Sequence, residues 1–345
     1  MRMAVPVALR PTAIQTAWYN FDTVQTPLGR YFDTIPSKAP GPTVSYDVHT
    51  YSRQRGRVNS RTGPAHFEDG ATDTVVTFMG ETWRDAIRID PETLKDMRAP
   101  GESLQNRANF QVADSLRSLR LRFERFVEWM RAEALQGVKS YYPPGLNEEY
   151  SELLLVSEAS LIANNAYDWS TACADEAAAR ANLEGIRGDF VDAKNAARAV
   201  GCIIDTALMN STTRGYLDQN AVMAGIDVLY DTVILEGQLT RLYGVNIDIN
   251  DETYVHPITG ASTDYIPDDV VIFLDSNNAR AGRGIVECEA VHTRAPSGHV
   301  GLFLNSYEED AAPGGIVVDG EWTGGPMIAQ PDGQYVLQDC TAGPG

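Results

Sequence analysis

A chain of 345 residues with 47 acidic against 28 basic side chains carries a net charge of −19, so it is a poor general binder of nucleic acid, whose phosphates would repel it. Hydrophobic content of 43 % and aromatic content of 9 % are those of a folded protein, with length for about two domains. No stretch approaches the ~20 apolar residues of a membrane span, and the start, broken by Pro6 and Pro11, lacks the apolar core of a signal peptide. A soluble protein made in the cytoplasm is expected. Only Lys38, Lys95, Lys139 and Lys194 are lysines, an arginine bias that suits either a GC-rich genome or a saline habitat. Cys173, Cys202, Cys288 and Cys340 form no CxxC pair and read as free buried thiols.

Residues 1–42 hold Pro6, Pro11, Pro27, Pro36, Pro40 and Pro42, which predicts an extended arm or a loop-rich strap. Its aromatics Trp18, Tyr19, Phe21, Tyr31 and Phe32 are too many for a solvated tail and should dock, on this subunit or on a neighbour. Residues 43–90 read as two long strands, TVSYDVHTYS and TDTVVTFMGETWRDAIRI, around a polar tip. Such a hairpin makes a poor independent domain. It either folds onto the core or reaches onto a neighbour. Arg53, Arg55, Arg57 and Arg61 make the tip basic, which favours an acidic surface of another copy over nucleic acid.

A helix is predicted over 103–136. Leu104, Ala108, Val112, Leu116, Leu119, Phe123, Phe126, Val127, Met130 and Ala134 recur at steps of three and four. Ser103 is the expected N-cap and Gly137 the left-handed C-cap. At ~1.5 Å per residue the rod is about 50 Å long. The opposite face, with Arg107, Asp114, Arg117, Arg120, Arg122, Glu124, Arg125, Glu128, Arg131 and Glu133, is expected to lie away from the core. Periodicity alone leaves two readings open, an amphipathic helix on an ordinary sheet or a spine with lobes at both ends.

Downstream, VKSYYPP and EYSELLLVS predict a hairpin, and an alanine-rich helix follows from about Asp175 to Val200, with Gly185 and Gly188 as weak points. GCIIDTALM predicts a short buried strand and STTRGYLDQ a short helix capped by Ser211. TVILEGQLTRLYG predicts another helix, closed by Gly244. VNIDIN, DDVVIFLDS, GIVECEAV, GLFLNS, GIVVDG and QYVLQDC predict strands. The body is therefore of mixed α+β class, without a fixed-period repeat.

Chemistry-bearing motifs are absent: no GxGxxG, GxxxxGK[ST], GxSxG or HExxH occurs. His49, His66, His256, His292 and His299 fit no metal spacing, and packing or surface roles are expected for them. Asp268 and Asp269 after Ile266-Pro267 read as a turn entering a strand rather than as a carboxylate pair. Neither a catalytic residue, a cofactor nor a metal is expected. An enzyme reading is kept only as an alternative, a hydrolase or metal enzyme built on His292, His299 and Glu287.

The order of several pieces carries a resemblance: FERFVEWMRAEALQGVK at the end of the long helix, Trp169, the helix from Asp175, Gly201, IIDTALM, the asparagine of LDQNAVM, LTRLYGVNIDINDETY and IPDDVVIFL. In these pieces, over residues 40–340, the chain resembles the lambda-type major capsid protein family of tailed phages and viruses, the capsid protein E family, with its Hong Kong 97-type fold. The family's closing Gly-Lys is split here as Gly137-Val138-Lys139. The resemblance implies an N-terminal arm over 1–42 and an extended E-loop over 43–90. It implies a P-domain over 91–200 whose spine is the helix, an A-domain over 201–320, and strands at 321–345 returning to the P-domain. It implies self-assembly into pentamers and hexamers of an icosahedral shell, located in the virion and assembled in the host cytoplasm. Packaged double-stranded DNA, bound without sequence specificity, a portal, a decoration protein and no membrane are the implied surroundings. Some relatives cross-link through an E-loop lysine; here no lysine lies between Lys38 and Lys95. Others begin with a scaffolding region; an E-loop starting near 43 leaves no room for one and implies a separate scaffolding protein. An encapsulin-like cargo compartment is the alternative within the fold. Inter-subunit contact is expected from Arg53, Arg55, Arg57, Arg61, Trp18 and Tyr19.

Overall fold

A computed structural model describes residues 26–50, 72–89, 104–141, 150–153, 161–163, 168–170, 175–223, 233–235, 238–277, 282–308 and 316–340. Its centre is helix α1, Leu104–Gln136, which ends at Gly137 in the left-handed region at φ 76° as the sequence predicts. Ser103, the expected N-cap, lies outside the described residues.

One face of α1 rests on a five-stranded sheet. Its longest member is β17, Ile316–Ile328, which pairs along one edge with β4, Glu81–Ile89. The other edge of β17 takes β16, Phe303–Glu308, and then β15, Arg283–Glu287; β1, Asp33–Pro36, runs parallel to β15. Trp83, Leu304, Val318 and Trp322 join the core under the helix; Val318 and Trp322, an even number of positions apart on β17, share one face as the pleat requires. Part of the support for α1 thus comes from β4, which precedes it in the chain.

The other sheet has seven strands in the order β7-β18-β14-β8-β11-β10-β9. These are β7 (Leu161–Ala163), β8 (Thr206–Met209), β9 (Val233–Leu235), β10 (Gln238–Leu242), β11 (Val245–Ile249), β14 (Val271–Leu274) and β18 (Gln334–Gln338). Alternation divides its side chains between two cores. Leu208, Ile272 and Leu274 join the α1 core. Ala207, Met209, Phe273, Tyr335 and Leu337 pack against α2 (Glu176–Val200) and α3 (Ser211–Met223) through Leu183, Ile186, Phe190 and Leu217. Asp175 caps α2 by accepting the Ala178 N–H at 2.8 Å, and the helix runs unbroken through Gly185 and Gly188. The cap of α3 is Asn210, whose Oδ1 accepts the Thr213 N–H at 2.9 Å, one residue before the expected Ser211.

The predicted helix at 232–244 is instead β9 and β10, paired as a hairpin. Gly244 closes a turn rather than a helix: Leu242 pairs with Val245 across Tyr243 at φ 50° and Gly244 at φ 79°, the two left-handed residues that a tight hairpin turn requires. The β-branched Val233 and Ile234 fit the strand, and the apolar spacing of the segment fits either period. No helix among the described residues is long and apolar enough to cross a membrane.

Candidate assembly surfaces

The returning strand of the predicted long hairpin is broken in two at Gly80. Its first part, β3 (Thr72–Met79), pairs with β2 (Thr43–Thr50), and its second part is β4 of the five-stranded sheet. The stem alternates strictly. Val44, Tyr46, Val76 and Phe78 face Val286, Cys288 and Met327 of the same chain. Ser45, Thr77, Val75 and Met79 face outward, with Val75 62 % and Met79 64 % exposed. The stem therefore finds at its base the apolar partner that the sequence seemed to lack. Arg53, Arg55, Arg57 and Arg61 lie outside the described residues, as do Trp18 and Tyr19.

The strap behind the arm is described from Thr26. A 3-10 turn at Pro27–Tyr31 buries Leu28, Tyr31 and Phe32 in the α1 core. The Leu28 N–H donates to Glu128 Oε1 at 2.7 Å. Tyr31 O–H donates to Asp248 Oδ2 of β11, and Arg30 pairs with the same oxygen at 2.7 Å. Burial pushes the Tyr31 hydroxyl well up, helped by the Asp248 charge. Burial also raises the Glu128 carboxyl, against the Leu28 N–H and Arg131, which hold it down. Two of the aromatics flagged in the sequence, Tyr31 and Phe32, thus dock on their own subunit.

Charge placement on α1 departs from the expected solvent face. Arg120 and Glu128 are buried, and the strap reaches Glu128 through the Leu28 N–H. Arg120 Nε pairs with Glu124 at 2.8 Å, and Arg131 with Glu128 at 3.0 Å. Periodicity assigns charged positions outward and holds no signal for a second covering element.

The residues of the enzyme alternative each have a structural partner. His292 Nε2 contacts Asp319 Oδ2 at 3.0 Å while its Nδ1 accepts the Arg294 N–H, and His299 Nε2 contacts the Leu302 carbonyl at 3.1 Å. The two imidazoles flank Phe303, at 5.2 and 5.5 Å between ring centres. Glu287 Oε1 accepts from Trp322 Nε1 at 3.1 Å. Among the described residues no three His, Cys, Asp or Glu side chains gather as metal ligands would. Asp268 accepts from Asn210 and the Asp269 N–H donates to Thr213 Oγ1, a turn entering β14 as read from the sequence. Cys202, Cys288 and Cys340 are buried thiols outside any disulfide, and burial pushes those of Cys288 and Cys340 up. Cys173 lies outside the described residues.

The fold matches the putative capsid protein of a prophage of Escherichia coli CFT073 with a TM-score of 0.64 at 14 % identity, covering 96 % of this chain and 99 % of that one. The capsid of cyanophage P-SCSP1u gives 0.52 at 13 % identity, over 98 % and 92 %. A phage-related protein of Bordetella bronchiseptica RB50 gives 0.52 at 12 % identity, over 97 % and 98 %. Among curated proteins no sequence match was found. The sequence signature described as phage major capsid protein E matches residues 12–283. The chain belongs to that family.

Proposed function

We infer that this chain is a major capsid protein, the repeated subunit of a shell enclosing the packaged double-stranded DNA of a tailed virus. The family match over residues 12–283 carries that conclusion and favours a viral shell over a cargo-storing compartment. In this reading α1 is the spine of a P-domain over residues 91–200. Residues 201–320 form the axial A-domain, the strands of 321–345 return to the P-domain, and the β2–β3 stem is the base of the E-loop over 43–90. The segment 51–71 reaches a neighbouring subunit through Arg53, Arg55, Arg57 and Arg61, and the arm brings Trp18 and Tyr19 to another contact. Copies associate as pentamers and hexamers. A separate scaffolding protein, a portal and a decoration protein complete the particle, which is assembled in the host cytoplasm. A net charge of −19 supports a wall that does not grip DNA sliding inward.

The test is negative-stain microscopy with sedimentation velocity on the full chain, alone and co-produced with the scaffolding protein. Pentamers, hexamers or closed shells are expected. Deleting residues 52–68 should leave soluble subunits that no longer close. A chain that stays monomeric under every condition overturns the shell reading, and normal shells from the deletion overturn the role given to the hairpin.

A further inference from the structure

At the C-terminal end of α1 a cleft of about 290 Å³ opens between the helix and a small hairpin, β12 (Thr253–Val255) with β13 (Ser262–Asp264). Trp129, Glu133 and Gln136 line it from successive turns of the helix, and Tyr254, Asp264 and Tyr265 line it from the hairpin. The cleft is built in advance of any occupant. Gln136 Nε2 donates to the Tyr265 carbonyl at 3.1 Å, and Tyr265 O–H donates to the Arg125 carbonyl at 3.2 Å, so the hairpin is tied to the helix at two points. The Tyr254 and Tyr265 rings lie 5.1 Å apart at 31°.

Three aromatic side chains and two carboxylates select for one kind of group. Ring faces carry negative quadrupole and carboxylates full negative charge, so both attract a planar cation. The volume lies just under the ~300–1,000 Å³ of drug-sized sites, which suits the head of a single side chain. The sequence holds one concentrated source of such groups. Arg53, Arg55, Arg57 and Arg61 stand in a stretch with no acidic residue between Asp47 and Glu68, in a chain of net charge −19. Elsewhere arginines pair with acids on their own helix, as Arg120 does with Glu124, Arg180 with Glu176 and Arg187 with Glu184. In sequence the stretch lies between β2 and β3, which form a two-stranded sheet of their own.

We propose that this cleft is the receptor for an arginine of segment 53–61 from a second copy of the chain. The inference rests on the shell reading above and names the partner surface that the reading leaves open. Donor and receptor are different surfaces of one chain, so the contact is head-to-tail. Such contacts close rings, whereas self-complementary patches stop at dimers. Pentamers and hexamers need the first kind.

A photo-crosslinking residue replacing Val255, which is 66 % exposed beside the cleft, tests the proposal in the full chain under assembly conditions. Irradiation should give a band of two chains, with the linked peptide mapping to residues 51–71 of the partner. Asp264→Arg should cut that band about tenfold by turning attraction into repulsion, and Asp264→Glu should restore it. Melting curves of both variants should match the parent, since Asp264 is exposed. A crosslink within one chain, a link to another segment, or a yield indifferent to Asp264→Arg overturns the proposal. If particles still form in that case, the shell reading survives it. A chain that never associates overturns both.

Discussion

Arg120→Ala separates the packed helix from the helix that periodicity alone suggests. The Arg120 side chain is 10 % exposed, and its Nε lies 2.8 Å from Glu124, itself 14 % exposed. Truncation strips an enclosed carboxylate of this partner. Breaking a buried pair from one side costs about 3–5 kcal/mol, and the residual access of water here brings the expectation to about 2–3 kcal/mol. At roughly 2 °C per kcal/mol for a large domain, the melting temperature of the purified subunit should fall by about 4–6 °C. Arg120→Met combined with Glu124→Leu should recover most of the loss, because an apolar pair of similar volume is often neutral or better. Phe123→Ala is the reference for a core defect. Its ring lies 5.2 Å from Trp83 and 5.9 Å from Trp322, and losing it should cost about 3 kcal/mol, the low end for a phenylalanine that is partly buried. Differential scanning calorimetry reads all three. An Arg120→Ala subunit melting within about 1 °C of wild type would refute the argument, since only a solvated pair behaves so.

Gly324→Ala should lose soluble protein or about 1–3 kcal/mol, because its Cβ would stand 2.5 Å from the Trp322 ring and against the Val286 carbonyl. Gly188→Ala, in a helix with open space around it, should gain roughly 0.5–1 kcal/mol in the same melts. Glu128 is raised above its unfolded value by burial, so the native state holds the extra proton and stability falls as pH rises from the ordinary carboxylate range through the raised one. Asp189, buried against Trp169, adds the same sign. Glu128→Gln should flatten the melting temperature against pH across that window, and an unchanged slope would count against it. Mature particles should run as single chains on a reducing gel after boiling in detergent, since no lysine lies between Lys38 and Lys95; a ladder would reveal another amine.

What the sequence disclosed depended on how many contacts decide each residue. The long helix was legible because its apolar stripe repeats over its whole length and Gly137 stops it. The strands of both sheets were legible where apolar residues run together, as at Ile272–Leu274. The segment at 232–244 misled because its spacing fits either period, and the φ angles of Tyr243 and Gly244 follow from pairing with residues further along. The burial of Glu128 was invisible, because the strap that covers it lies a hundred residues away, at Leu28. For the assembly surfaces, sequence showed the basic stretch 53–61 but not the cleft beside Tyr254 and Tyr265, which exists only once a helix end and a distant hairpin meet.

The strap gives the last expectation, and it bears on how much of the fold the segment 26–32 anchors. Leu28, Tyr31 and Phe32 are all nearly or wholly buried, and burial of each is worth about 1.5–3 kcal/mol. Together that is roughly 4.5–9 kcal/mol, comparable with the ~5–15 kcal/mol that holds a domain folded. Removing them also takes the Leu28 N–H from Glu128 and both Tyr31 and Arg30 from Asp248. A chain lacking residues 1–32 should therefore be insoluble or melt far below wild type. A chain lacking only 1–25 keeps every one of these contacts and should melt as wild type does. If Trp18 and Tyr19 contact a neighbour, the shorter deletion should still impair assembly in sedimentation. Full solubility and a wild-type melt from the longer deletion would make the strap a passenger, and its aromatics would need another purpose.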